Sequence, residues 1–489
     1  MSIARQHRPT SRRSRYWVTK TDLMRYLRCP YAFWLLDTGK LPFAQSVTPL
    51  QAGLIDAGVA FQFEVEAHAK PVPADVDLPT IFGKDNVEFF LAGLPPLVNK
   101  KLALRGLPDG VYTEGGALIP IETKSHREVL PSDRIELAFY WLLLEPYRTR
   151  ASEPRGVLIL RRHGAAIEVE VPLLPRHFEK VARLVAEVRR ARRYGVEPRI
   201  CSCSVCAGPM RDEVLLRAYE AKDLTMIYQV GPVLARTMEA LGVTSYTDLV
   251  GCDQGELLAA LKANKRSVSA AMVAGWCHHA ESYTRAEAVL FGLRPPVPSS
   301  FIALDLEYAP GHTWLMGACV VDGDDRRFVQ LWADTPAEER RNLRQLARLV
   351  EEHPSLPVVT WNGASADVPE LRKAGKRLKV TKVVESIVAN HLDLYLYAVA
   401  GVRLPIPSLT QSEVATYFGV TKVSAVHDGF DAQWRYLVYA ASEPGPTRDN
   451  LRDELLEYNR DDLVGLVAAA EGFRRLGSLI AGGTVAPAA

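Results

Sequence analysis

The segment FIALDLEYA, residues 301–309, decides how the C-terminal part of this 489-residue chain folds. It is apolar apart from Asp305 and Glu307. Side chains two apart in an extended chain share a face, so both carboxylates project together from a strand otherwise suited to burial. Burying two neighbouring carboxylates costs several kcal/mol each unless a cation compensates. A bound metal ion is the economical explanation, because hard divalent cations take carboxylate oxygen.

Downstream, Phe301–Tyr308, Thr313–Val321 and Arg327–Trp332 read as strands, Pro336–Glu352 as a charged helix and Pro357–Trp361 as a buried strand ending at Asn362-Gly363. Three strands able to pair as a meander, followed by alternating helix and strand, suit an α/β domain. Asp367 opens the next helix, where it could equally serve as a cap. In LLEYNRDDLVGL, 455–466, Tyr458 and Asp462 stand four apart on one helical face. Together Asp305, Glu307, Asp367, Tyr458 and Asp462 resemble the DEDDy exonuclease set, closest to the YprB-like branch of the RNase H superfamily. The resemblance implies an RNase H-like domain over 301–480, with a tail over 481–489. Its four acids would hold two divalent ions, Mg²⁺ or Mn²⁺, and Tyr458 would orient the attacking water. Two such ions stabilise the attacking and leaving oxygens of an in-line displacement.

A second acidic stretch is RGLPDGVYTEGGALIPIETK, 105–124. It reads as a strand, a turn at Gly115-Gly116 and a second strand, on which Glu122 and Lys124 share a face while Ile119, Ile121 and Thr123 take the other. With Asp109 these make two carboxylates and an ammonium able to meet at one point, a set suited to phosphodiester hydrolysis; an exposed ion pair is the plainer reading of the spacing. Pro120 suggests an edge position or a bulge. The pattern resembles the PD-(D/E)XK signature in its RecB-like version, here Pro108-Asp109 and Glu122-Thr123-Lys124. That implies Asp109 and Glu122 as ligands of Mg²⁺ or Mn²⁺, with Lys124 positioning the water. In such nucleases a histidine and an acid precede the hairpin; this chain has Gln62 at the histidine position, with Glu66 or Glu64 as the acid. They also carry Gln-x-x-x-Tyr on the following helix, here Glu136 and Tyr140. From the residues alone, Asp133 is expected to cap that helix with Glu136 closing a capping box, leaving Tyr140 as a phosphate contact.

Seven cysteines in an apparently cytosolic chain argue against a disulfide framework. Cys29, at a bend before Pro30, and Cys201, Cys203 and Cys206 in CSCSVC fall at the two ends of one expected domain, 16–211. Thiolates so spaced suit an iron-sulfur cluster or zinc. They resemble the [4Fe-4S] arrangement of AddB-type and CRISPR-associated RecB-like nucleases, with Zn²⁺ the alternative. Cys252, Cys277 and Cys319 are isolated in sequence and read as core residues or bystanders.

Lys and Arg number 59 against 57 Asp and Glu, a net charge of +2, so bulk charge does not announce a nucleic-acid binder. Its distribution is more telling: before Cys29 lie Arg5, Arg8, Arg12, Arg13, Arg15, Lys20, Arg25 and Arg28 against Asp22 alone, and Arg189, Arg190, Arg192 and Arg193 crowd one helix end. Such clusters suit a polyanion partner, although cations at a helix C-terminus also satisfy the helix dipole. Residues 1–15 read as a basic disordered arm. Residues 212–293 read as all-helical, with Val230-Gly231-Pro232 as the turn of a helix-hairpin-helix whose amides could grip a phosphate. RPPVPSS, 294–300, reads as a linker. No apolar run reaches membrane-spanning length and no signal-peptide core is seen, so a cytoplasmic protein is expected.

The order of segments resembles the bacterial and archaeal RecB-like nuclease family with a C-terminal YprB-like domain. It implies an α/β multidomain, metal-dependent DNA exonuclease acting on single strands or ends in repair or processing, beside a helicase partner. The alternatives are a nucleic-acid-binding scaffold with one or both sites inactive, or a ribonuclease acting through the C-terminal domain.

Overall fold

The computed structural model describes residues 17–40, 58, 61–65, 70–71, 91–92, 94–114, 116–162, 165–195, 197–200, 211–292 and 297–482. The chain divides into two compact units, residues 1–216 and 217–489.

In the first unit, β1 (Val18–Thr19) leads into α1 (Lys20–Arg28) and α2 (Pro30–Asp37). Thr19 and Asp22 form a reciprocal capping box that fixes the start of α1. Pro30 cannot continue α1, so a new helix starts there. Cys29 sits between the helices, buried, its Sγ accepting from the Ala32 amide at 3.3 Å. The sulfur is therefore engaged as a helix cap. Cys201, Cys203 and Cys206 lie outside the described residues, as do Glu66 and the basic arm.

The short strands β2 (Lys70–Pro71) and β3 (Leu91–Ala92) precede β4 (Leu97–Asn99) and β5 (Leu104–Gly106), which join β1 in a small sheet. Next come β6 (Gly110–Glu114), β7 (Ala117–Lys124), α3 (Pro131–Leu144), β8 (Arg155–Arg162), β9 (Ala165–Pro172) and α4 (Pro175–Tyr194). The sheet order is β6-β7-β8-β9. β6 and β7 form the expected antiparallel hairpin, with Gly116 at φ +83°, where only glycine is unstrained. Pro120 lies neither on an edge strand nor at a bulge. It faces Val111 of β6, and the parallel pairing of β7 with β8 begins one residue later, at Ile121. Its missing amide thus costs no bond to β8.

The two faces of β7 separate as alternation requires. Ile119 and Ile121 pack with Phe61, Val157 and Ile159, whereas Leu118 joins the core made with Leu137, Phe139, Tyr140 and Leu143 of α3. Glu122 and Lys124 project from the α3 side. In α4, Arg192 pairs with Asp22 and Asp37, tying the helix to α1 and α2. Arg189 donates to the Leu102 and Ala103 carbonyls; Arg190 and Arg193 are exposed.

After α5 (Arg211–Glu220) come α6 (Pro232–Ala240), α7 (Gln254–Ala263) and α8 (Ala270–Arg285). The first helix expected of the hairpin is a single 3-10 turn, Leu224–Met226, capped by Asp223. Gly231 is the N-cap of α6 and makes no side-chain cap, with Pro232 at the first helical position. Cys252 and Cys277, distant in sequence, bring their sulfurs to 3.6 Å, so they are neighbours and not isolated; Cys319 is a core residue.

β10 (Val289–Leu290) precedes the main sheet of the second unit, built from β11 (Phe301–Ala309), β12 (His312–Asp322) and β13 (Asp325–Trp332). α9 (Pro336–Glu352), β14 (Val358–Thr360), α10 (Asp367–Arg377), α11 (Thr381–Val388), β15 (His391–Asp393) and α12 (Leu394–Gly401) follow. β16 (Val402–Arg403), α13 (Gln411–Tyr417), α14 (Gly429–Ala441) and α15 (Pro446–Gly482) complete the unit. The strand order is β13-β12-β11-β14-β15: an antiparallel meander with two parallel strands added at its β11 edge. One face packs Ile302, Leu304 and Leu306 against α9, α10 and α11; the other packs Phe301 and Ala303 against α12, α13 and α15.

Candidate metal centre

β11 brings Asp305 and Glu307 to the face covered by α15, which contributes Asp462. One oxygen from each of the three lies within 4.8 Å of the others. Glu307 is buried, while Asp305 and Asp462 are partly open. The ladder between β11 and β12 shifts register between Glu307 and Tyr308, a bulge that ends the regular pairing at the site.

Asp367 is the first residue of α10 and buried, and its carboxyl accepts from its own amide and from that of Leu306. It lies outside the 4.8 Å group, yet its charge acts on both Asp305 and Glu307. The turn that delivers it is held by Asp393, whose carboxylate accepts from the amides of Asn362, Ala364 and Tyr395 at 2.9, 2.9 and 3.0 Å. Asn362 is left-handed there, at φ +60°, a conformation asparagine tolerates.

Burial pushes the Asp305 carboxyl well up, and Asp462 and Asp367 add to the shift. Glu307 is raised by burial and then by Asp305, Asp462 and Asp367. Burial likewise raises Asp367, to about 7. Burial raises Asp462 too, against the opposing charge of Lys422, whose Nζ stands 3.6 Å from it. Acids that resist ionisation because they are buried and, at Asp305 and Glu307, crowded by other carboxylates are what a cation would relieve. The donor set is all oxygen, which fits Mg²⁺ or Mn²⁺.

Tyr458, one turn before Asp462, is buried and hydrogen-bonds the Asp462 carboxylate. Burial and the surrounding acids raise its phenol well above the ordinary range, so it is a neutral donor. Lys422 lies over its ring at 3.7 Å. The loop bearing Lys422 is tied to α15 by Asp461, which accepts from the Val423 and Ser424 amides.

Asn459 was not foreseen from sequence. It is fully buried, and its Nδ2 donates to Asp305 Oδ2 at 2.7 Å while its Oδ1 accepts from Gln330 Nε2 at 3.1 Å. Gly317, paired with Asp305 in the ladder, makes room for it: a Cβ there would meet Asn459 Oδ1 at 2.1 Å. The available signal was an amide on the buried stripe Leu455, Tyr458, Asn459, Leu463 and Leu466.

In the first unit Asp109, Glu122, Lys124, Glu136 and Tyr140 also converge, joined by Lys20 of α1. Glu136 is not part of a capping box. The helix starts earlier, with Leu130 at the N-cap and Asp133 at the third position, where its carboxylate accepts from the Leu130 amide at 2.7 Å. Glu136 is free to turn inward and pairs with Lys20 and Lys124. Tyr140 is buried and donates its hydroxyl to the Leu107 carbonyl at 2.9 Å. Gln62 donates to Asp109 at 3.2 Å, whereas Glu64 reaches out to Arg161.

A family model of the RNase_H superfamily matches residues 303–471, the span that holds Asp305, Glu307, Asp367, Tyr458 and Asp462. The C-terminal unit thus carries an RNase H-like domain. Among solved structures, the chain is similar to the family B DNA polymerase of the hyperthermophilic archaeon Pyrobaculum calidifontis, with 21% identity and a TM-score of 0.28. The similarity covers 39% of this chain and 28% of the polymerase. The protein SSO0001, known from a crystal structure, is 19% identical over 35% of this chain and 75% of its own, with a TM-score of 0.23. Among curated proteins, none matches. Among the described residues, no helix is long and apolar enough to cross a membrane.

Proposed function

We propose that the chain is a metal-dependent nuclease acting on DNA single strands or ends, with its reactive centre at Asp305, Glu307 and Asp462, completed by Asp367 and Tyr458. The observation that carries this reading is the convergence of three carboxylates within 4.8 Å at a site whose desolvation disfavours their charge. Asp305, Glu307 and Asp462 would hold the divalent ion, with Asp367 beside them for a second. The ions would supply Lewis-acid stabilisation of the attacking and leaving oxygens.

The chain's own residues do the positioning. Asn459 fixes the Asp305 carboxylate through a bond that is in turn fixed by Gln330. Tyr458, held by Asp462, presents a neutral phenol able to orient a water for in-line attack. Lys422 is the cation nearest to Asp462 in the described ion pairs and is suited to a substrate phosphate.

End-labelled single-stranded DNA should be shortened in the presence of Mg²⁺ or Mn²⁺ and left intact when EDTA is added. DNA bound but uncut under both conditions would instead favour a scaffold. The same assay run on labelled RNA decides between the two nucleic acids.

A further inference from the structure

The N-terminal cluster contains the acids of a metal site, but its two glutamates already face two ammonium groups. Glu122 Oε1 accepts from Lys20 at 2.9 Å and from Lys124 at 3.0 Å. Glu136 takes the same two ammonium groups, Lys20 on Oε1 at 2.6 Å and Lys124 on Oε2 at 2.8 Å. The result is a closed ring of two lysines and two buried glutamates. Asp109 stands beside it with both oxygens taken, Oδ1 by Gln62 at 3.2 Å and Oδ2 by the Thr123 amide at 2.8 Å.

A hard divalent ion needs several oxygens at once. Here Glu122 Oε2 is a buried oxygen without a partner, and it stands alone in that respect among the carboxylate oxygens of the cluster. Among the described residues, the acids of this cluster do not gather within 4.8 Å as those of the C-terminal site do. Asp109 and Glu122, the ligands implied by the PD-(D/E)XK resemblance, therefore do not fit a metal ion in this arrangement.

Lys20 is not loosely placed. It is the first residue of α1, whose start is fixed by the Thr19–Asp22 box, and Asp22 is held again by Arg192 at 2.8 Å. Withdrawing its ammonium would leave Glu122 and Glu136 facing each other, both almost wholly buried. An uncompensated buried charge of that kind is strongly unfavourable.

We infer that the Lys20 ammonium occupies the place a divalent cation would take between Glu122 and Glu136, so that this cluster, with its two glutamates compensated by two lysines, binds no divalent ion. The cluster then stabilises the fold, with a lysine from α1 replacing the metal as the link between the helix and the sheet. This inference does not rest on the reading of the C-terminal centre.

The test is a titration of the full chain with Mn²⁺ followed by electron paramagnetic resonance. Asp109→Asn and Glu122→Gln, each confirmed as folded by circular dichroism, should bind the same number of ions as the parent chain. Loss of one bound ion in either variant overturns the inference. A separate arm with Asp305→Asn/Asp462→Asn reports on the C-terminal centre alone, so the two readings fail independently. In Lys20→Met the thermal midpoint should fall, and millimolar Mn²⁺ should restore part of it. That restoration should vanish in Lys20→Met/Glu122→Gln. If Mn²⁺ restores nothing in Lys20→Met, the ammonium is not standing in for a cation.

Discussion

Asp305→Asn is expected to lower the rate of metal-dependent DNA cleavage by on the order of a thousandfold or more, about 4 kcal/mol of transition-state stabilisation. The reason lies in the position of the residue. Asp305 sits mid-strand on β11, opposite Gly317, and is gripped by Asn459, so its carboxylate has one orientation. Asparagine keeps the size of the side chain and can still bond Asn459 after an amide flip, so the fold should survive. It removes one of the three charges that converge within 4.8 Å. The measurement is single-turnover cleavage of end-labelled DNA at saturating Mg²⁺, with the unfolding midpoint as control. Unchanged cleavage would remove Asp305, and with it this centre, from the reaction.

Glu339→Gln should have the largest effect on stability, about 3 kcal/mol at neutral pH, at the low end of the cost of breaking a buried ion pair because Arg377 can regain water. Glu339 is fully buried at the junction of three elements. Its oxygens accept from the Thr313 amide of β12 at 3.0 Å and from Arg377 of α10 at 2.7 and 2.9 Å, and pair with His312 Nδ1 at 3.1 Å. Burial alone would raise its pKa, but His312, Arg377 and the Thr313 amide together pull it from 4.5 down to about 2. A carboxylate with a depressed folded-state pKa contributes stability that is present above its unfolded pKa and lost as pH falls through the folded value. The gap between wild type and Glu339→Gln should therefore be full above about pH 5 and close as pH falls towards about 2. His312 works in the opposite sense: its pKa is raised, chiefly by Glu339, so its contribution is present below its unfolded value and is lost as pH rises through the folded one. Urea unfolding at several pH values measures both trends. A gap that does not narrow in acid would contradict the assignment. Because Arg377 ends the helix that Asp367 begins, the same variant should also loosen one wall of the metal centre.

Much of the C-terminal unit was legible in sequence because its signals are local. FIALDLEYA alternates as a strand must, and the i, i+2 spacing alone put Asp305 and Glu307 on one face. The spacing of Tyr458 and Asp462 did the same on α15. The 105–124 hairpin was equally legible, since Gly116 takes the left-handed turn and alternation aims Glu122 with Lys124.

What escaped depends on contacts between distant residues. Lys20 reaches Glu122 across 102 positions, and Asn459 reaches Asp305 across 154. No periodicity within a window reports such meetings. The reading of Glu136 failed for a different reason: Pro131 at the first helical position moves the N-cap back to Leu130, so Asp133 becomes the third residue of the helix and Glu136 turns inward. Pro120 misled because its cost depends on which side of β7 has a partner at that height, and β8 joins only from Ile121.

The central proposal is that Asp305, Glu307 and Asp462 are metal ligands. Diffraction from crystals soaked in Mn²⁺, recorded near the manganese absorption edge, tests it most directly. An anomalous peak bounded by these three carboxylates is expected, and none between Glu122 and Glu136. Empty density among Asp305, Glu307 and Asp462, with manganese bound at the N-terminal cluster instead, would contradict it.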